Sequence, residues 1–228
     1  MVERTFPGLI QGEHPICLSW CRDVLANLRL RPRLRLGLGG GAAAVHKTPV
    51  DIDEETAAAL GFPKPQYRSV ERERRWLCED VPRDRIVSSQ AITDLYVSGA
   101  RLRLRAARPL DGGAPLLRLT RKADVDSRTR LITSIYLPQD EFEMLARVLT
   151  GSRIEKVRHR LQPVAGSAHM SVDAFQGALA GLVLAEAEFD TPESLARFPM
   201  PDFAVREVTD DPRYTGVFLA KNGLPSGT

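Results

Sequence analysis

From Val70 onward the chain alternates apolar and polar residues in short runs broken by turn residues, the pattern of an all-β barrel or sandwich. The predicted strands are Val70 to Leu77, Ala91 to Val97, Arg101 to Ala107, Leu116 to Lys122, Thr129 to Leu137, Arg153 to Leu161, Met170 to Phe175 and Leu182 to Phe189. Asp111-Gly112-Gly113 and Gly151-Ser152 read as turns. Two helices interrupt the series. Pro138 to Leu149 places Phe142, Leu145, Val148 and Leu149 at helical spacing, and Thr191 to Phe198 has Thr191 as N-cap and Pro192 at the first helical position.

The first 67 residues read differently. Arg29-Leu30-Arg31-Pro32-Arg33-Leu34-Arg35-Leu36 alternates, but a proline sits at its centre and it runs into Gly37-Leu38-Gly39-Gly40-Gly41, both unfavourable to a strand ladder. Asp51 to Leu60 is predicted as a short helix capped by Asp51 or Asp53. Residues 1–67 are therefore expected to form a flexible extension, residues 68–222 the β domain, and residues 223–228 a short tail.

Among the 228 residues, 43% are hydrophobic, which is ordinary for a globular protein. The 32 basic and 29 acidic side chains nearly balance at +3, so the placement of charge matters more than its total. No apolar run approaches the roughly 20 residues of a membrane helix. The N-terminus lacks the basic-then-apolar pattern of a signal, and a cytoplasmic location is expected. Cys17, Cys21 and Cys78 fit no disulfide framework, and His14 with the first two completes no zinc set.

In a strand, residues two apart share a face. Glu71, Glu73 and Arg75 therefore point one way, as do Arg101, Arg103 and Arg105 opposite Leu102 and Leu104. Thr120 pairs with Lys122, Asp173 with Phe175, and Glu186 with Glu188, while Lys156, Arg158 and Arg160 line up. For a single strand the plain reading is a solvated outer face. Same-sign clusters on several strands, with apolar helices able to cover the leucine faces, favour a barrel that is apolar outside and ionic inside. Paired carboxylates suit Mg²⁺ or Mn²⁺. Arginine forks and lysine ammonium groups suit phosphate oxygens. Together they describe a site for a metal-bound polyphosphate. Replacing Glu186 or Glu188 by Gln is expected to relieve carboxylate repulsion in the metal-free protein.

The order of short motifs resembles the CYTH, or triphosphate tunnel metalloenzyme, family. Glu71-Arg72-Glu73-Arg74-Arg75-Trp76 is similar to its opening E-x-E-x-K strand, and Ile92-Thr93-Asp94-Leu95-Tyr96-Val97 to the next. Arg103-Leu104-Arg105, Leu119-Thr120-Arg121-Lys122 and Glu155-Lys156-Val157-Arg158 follow the basic strands. Val172-Asp173-Ala174-Phe175 and Leu184-Ala185-Glu186-Ala187-Glu188-Phe189 follow the closing pair, and Glu207-Val208-Thr209-Asp210-Asp211-Pro212-Arg213-Tyr214 the lead into a C-terminal helix.

The resemblance implies an α+β fold: a closed antiparallel β-barrel, the triphosphate tunnel, with flanking helices and a C-terminal plug helix. It implies metal, Mg²⁺ or Mn²⁺, on Glu71, Glu73, Glu186 and Glu188 with Asp173 assisting. Substrate phosphates would meet Arg75, Arg103, Arg105, Lys122, Arg158 and Arg213, and Lys156 with Tyr96 would form a catalytic pair. The implied activity is hydrolysis of inorganic triphosphate or a related organic triphosphate. A nucleotide cyclisation like that of class IV adenylate cyclases, and a non-catalytic polyphosphate- or nucleotide-binding module, are the alternatives. The expected partner is a triphosphate-containing small molecule, with no membrane or nucleic-acid role. Three positions depart from the family pattern: Arg75 replaces a lysine, Ile132 and Ser134 stand where the fifth strand offers acids, and Thr215-Gly216 replaces Lys-Asn.

Overall fold

The structure, a computed structural model, describes residues 52–226. The predicted Arg/Leu run, His14, Cys17 and Cys21 lie outside the described residues. Among the described residues there are nine strands: β1 Ser69–Cys78, β2 Ile86–Val97, β3 Leu102–Pro109, β4 Leu116–Asp124, β5 Thr129–Tyr136, β6 Gly151–Leu161, β7 His169–Phe175, β8 Val183–Glu188 and β9 Ala204–Glu207. Four α-helices accompany them among the described residues: α1 Glu54–Ala59, α2 Gln139–Val148, α3 Pro192–Arg197 and α4 Gly216–Asn222. No helix among the described residues is long and apolar enough to cross a membrane.

The strands pair in the order β5-β4-β3-β2-β6-β7-β8-β1, and β1 pairs with β5 to close an eight-stranded antiparallel barrel. Closure leaves a gap. The β1–β5 register runs only from Ser69↔Ile132 to Arg72↔Thr129. Beyond it β9 takes over on β1, from Trp76↔Glu207 to Cys78↔Ala204. Strand β9 is the element the sequence pattern does not predict, because four residues are too few to display a period of two.

The two faces of the barrel wall differ as the alternation predicts. Outward-facing Trp76, Val172, Ala185 and Ala187 pack under Leu195 and Phe198 at α3, with the Phe189 and Phe198 rings edge to face at 5.1 Å. A Thr191–Ser194 capping box starts that helix. Helix α2 covers less than expected, since Val148 is 67% exposed.

The expected domain start at residue 68 is too late. Asp53 caps α1 by accepting a hydrogen bond from the Thr56 amide. Ile52, Ala57 and Phe62 then pack on Ala123 and Leu131 of the barrel wall. The Arg121 guanidinium covers the Phe62 ring at 4.5 Å and donates to the Leu60 carbonyl, while Arg68 donates to the Phe62 carbonyl. Residues 52–67 therefore belong to the folded unit.

One end of the barrel interior is apolar. Ile154, Phe175, Leu182 and Leu184 meet Val208, Tyr214 and the α4 residue Leu219, so the C-terminal segment plugs this end as the resemblance implies.

Candidate active site

Above the plug the interior opens into a cavity of about 560 Å³, a size typical of ligand pockets. Strand β1 contributes Glu71, Glu73 and Arg75 to its lining, and β8 contributes Glu186 and Glu188. Arg103 and Arg105 come from β3, Lys122 from β4, Lys156 and Arg158 from β6, and Tyr96 from β2. The alternation thus brings eleven of the thirteen candidate residues to one cavity, leaving Asp173 and Arg213 outside its lining.

The charges are arranged as pinned cations. Asp94, completely buried, accepts from Arg105 Nε and Nη2 at 2.6 and 2.7 Å, with Arg103 Nε 3.6 Å away. Burial alone would raise the Asp94 carboxyl, but the two guanidinium groups outweigh it and hold it well below the usual carboxylate range. Asp173 does the same on β7. Its oxygens take the Lys156 ammonium at 2.5 Å and a two-pronged bond from Arg158. With both oxygens occupied by cations, Asp173 positions Lys156 and Arg158 and does not present a free metal ligand, a correction to its expected role.

Arg213 is also corrected. Its side chain is 47% exposed and forks onto Asp211 in a local turn. Arg75 faces the cavity, but its Nη1 and Nη2 donate to the Tyr214 and Thr209 carbonyls. Val208 and Thr209 also bond the Arg75 backbone, so this residue braces the plug segment against β1. A lysine ammonium, a compact point charge, lacks the planar fork that spans two carbonyls, which accounts for arginine at this position.

The carboxylates differ among themselves. Glu71 pairs with Lys122, Glu73 with Arg130, and Glu186 with Arg158. Burial opposes the charge of Glu186, yet Arg158 and Lys156 hold its carboxyl well below the ordinary range. For Glu186 an ion pair therefore replaces the expected repulsion. Glu188 has no ion pair among the described residues, and burial together with Glu71 and Glu186 raises its carboxyl above the ordinary value. An unneutralised carboxylate flanked by two others fits a hard cation. Among the described residues no group of three or more His, Cys, Asp or Glu forms a preformed metal cage.

Lys156 and Tyr96, the expected catalytic pair, have separate partners. Burial draws the Lys156 ammonium below the ordinary lysine range, with Asp173 opposing, and its Nζ lies 5.2 Å from the Phe175 ring centre. Burial and Asp94 raise the Tyr96 phenol, so it stays protonated beside Arg103. A Cβ built on Gly216 would fall 2.0 Å from the Tyr96 hydroxyl oxygen, so the phenol occupies the space a side chain at 216 would need. Ile132 and Ser134 line the β5 wall, Ser134 sharing a hydrogen bond with Thr120.

Asp94 and Arg118 are not among the candidates read from the sequence. Asp94 sits inside a quoted motif, and its parity with Tyr96 was the available signal. Arg118 precedes Thr120 and Lys122 at two-residue spacing and lines the same cavity.

The described residues form a closed antiparallel barrel with an ionic interior. No family model matches the chain. Over 105 residues it is 38% identical to an inorganic triphosphatase of Acetivibrio thermocellus, a match covering 46% of this chain and 65% of that protein, just under two thirds of its length. It is also similar to the crystal structure of another inorganic triphosphatase, at 25% identity and a TM-score of 0.47, covering 68% of this chain and 97% of that one. A conserved hypothetical protein from Pyrococcus furiosus is similar at 16% identity and a TM-score of 0.42, covering 55% and 83%.

Proposed function

We propose that the chain hydrolyses the terminal phosphoanhydride bond of a triphosphate, inorganic or organic, with Mg²⁺ or Mn²⁺. The observation that carries this reading is one cavity in which β3, β4 and β6 bring cations and β1 and β8 bring carboxylates, one of them, Glu188, unneutralised. The named activity of the Acetivibrio relative supports it.

Glu188, with Glu186 and Glu71, would hold the metal, which when bound neutralises phosphate charge and lowers the pKa of the attacking water. Arg103, Arg105, Lys122 and Arg158 bind the phosphate oxygens and stabilise the charge that develops on them. Asp94 holds Arg103 and Arg105, and Asp173 holds Arg158, in place before substrate arrives, which limits reorganisation during reaction. Water adds to the terminal phosphorus as the bond to the bridging oxygen breaks, giving orthophosphate and the shortened chain. Lys156, drawn below ordinary lysine basicity, and the protonated Tyr96 are the groups placed to handle protons beside that phosphorus.

The test is phosphate release from tripolyphosphate, ATP and pyrophosphate with Mg²⁺, Mn²⁺ or EDTA. Metal-dependent release, fastest from tripolyphosphate, is expected. A second reading rests on Ile132 and Ser134, apolar and neutral where the family wall carries acids: a polyphosphate-binding module without turnover. Tight tripolyphosphate binding with no phosphate release under any metal would replace the first reading by the second.

A further inference from the structure

Arg130 lines the cavity from β5 and takes no part in the scheme above. It shares the inner face of that strand with Ile132 and Ser134, which line the same wall. Its guanidinium meets three carboxylates. Nη1 donates to Glu73 Oε1 at 2.5 Å and lies 3.8 Å from Glu71 Oε2, and Nε donates to Asp124 Oδ1 at 3.0 Å. Barrel closure builds this contact, because Arg130 stands in register with Glu71 on β1 and with Asp124 on β4.

The carboxylates of the cavity fall into two groups. On the β1 side Arg130 neutralises Glu73, and Lys122 neutralises Glu71 at 2.5 Å. Burial opposes the charge of Arg130, but Glu73, Glu71 and Asp124 outweigh it and raise its basicity above the ordinary arginine value. On the β8 side Glu186 pairs with Arg158, while Glu188 has no ion pair among the described residues. A hard cation is drawn to carboxylates whose charge is not already neutralised. Strand β5 adds none, since Ile132 is apolar and the Ser134 hydroxyl shares a hydrogen bond with Thr120. A dication entering between Glu71, Glu73 and Asp124 would have to expel a largely buried guanidinium from its partners, and an unpaired buried charge is costly.

Resting on the metal-dependent reading above, we propose that Arg130 is the fixed cation of the β1 carboxylates, so that this tunnel takes a single divalent cation, beside Glu188, and none between Glu71, Glu73 and Asp124. The guanidinium brings to the β1 side the positive charge that the second ion of a two-metal site would bring, and it cannot activate water as a metal does. Arg130 is thus a positioning residue that sets the metal count by holding Glu73 and Asp124.

The experiment counts Mn²⁺ bound to wild type, Arg130→Gln and Arg130→Met by equilibrium dialysis without substrate, and records the electron paramagnetic resonance of the bound ion. Wild type is expected to bind one Mn²⁺ per chain with the spectrum of an isolated ion. A neutral residue at 130 frees Glu73 and Asp124, so both variants are expected to bind two, with the spectral broadening of ions about 4 Å apart. A merely structural role would lower stability without raising the count. Circular dichroism checks folding, and because glutamine and methionine differ in polarity, either folded variant suffices. Two Mn²⁺ in wild type, or one in a folded neutral variant, would overturn the proposal; if neither variant folds, the wild-type count decides it. Phosphate release from tripolyphosphate is measured separately. No release despite one bound Mn²⁺ sinks the triphosphatase reading and leaves the metal count standing, whereas a wild type that binds no Mn²⁺ ends both.

Discussion

Arg105 grips Asp94 in a fork, its Nε and Nη2 at 2.6 and 2.7 Å from the two carboxylate oxygens. Since Asp94 is fully buried, Asp94→Asn leaves two inward arginines uncompensated and should cost about 3–5 kcal/mol. Tripolyphosphate would return part of that charge balance. Urea melts with and without tripolyphosphate are expected to show a larger ligand stabilisation in the variant than in wild type. Equal ligand shifts would show that phosphate does not reach these arginines.

Glu186 and Glu188 share a strand face but should respond oppositely to removal. The Glu188 carboxyl is raised, so its penalty is absent below the ordinary value of 4.5 and sets in as pH rises through its folded value. Glu188→Gln should therefore raise the metal-free Tm at pH 7, with no gain near about pH 4. Glu186 is lowered, so its stabilisation is present above 4.5 and disappears as pH falls through its folded value. Glu186→Gln should lower the Tm at pH 7. Both variants are expected to lose Mg²⁺-dependent turnover; the same Tm response from both would contradict the assignment of partners.

Phe62, 5% exposed, lies between Arg121 and the outer barrel wall. Phe62→Ala is expected to cost about 3 kcal/mol in urea unfolding. A chain starting at Pro65 loses Ile52 and Ala57 as well and should be less stable still. The cavity residues are on other strand faces, so kcat in the folded Phe62→Ala protein should stay close to wild type. An undiminished midpoint would show that residues 52–64 do not hold to the barrel.

Gly216 leaves room for the Tyr96 hydroxyl, which a Cβ would meet at 2.0 Å. Gly216→Ala should displace the phenol and reduce turnover about tenfold or more if Tyr96 contributes as proposed. Adding Tyr96→Phe removes the clashing oxygen, so the second change should cost little activity beyond the first. A double-mutant cycle reads this coupling directly. Full additivity would separate Gly216 from Tyr96.

How much of this was legible beforehand follows from the range of each interaction. The alternation in Glu71-Glu73-Arg75, Arg103-Arg105 and Glu186-Glu188 is local, because successive side chains in any strand point to opposite faces. It determined the barrel, its apolar outside and most of the cavity lining. Asp53 and Thr191 marked helix starts for the same reason, a cap being complete within one turn. Tertiary structure alone decided the partners. Arg75 meets Thr209 and Tyr214 more than 130 residues away, so that its guanidinium braces the plug. Asp173 proved a counter-ion because β6 sets Lys156 and Arg158 against it, while Glu188 was left without one. A charge's role depends on which opposite charge barrel closure places within a few ångströms, and strand periodicity carries no information about that distance.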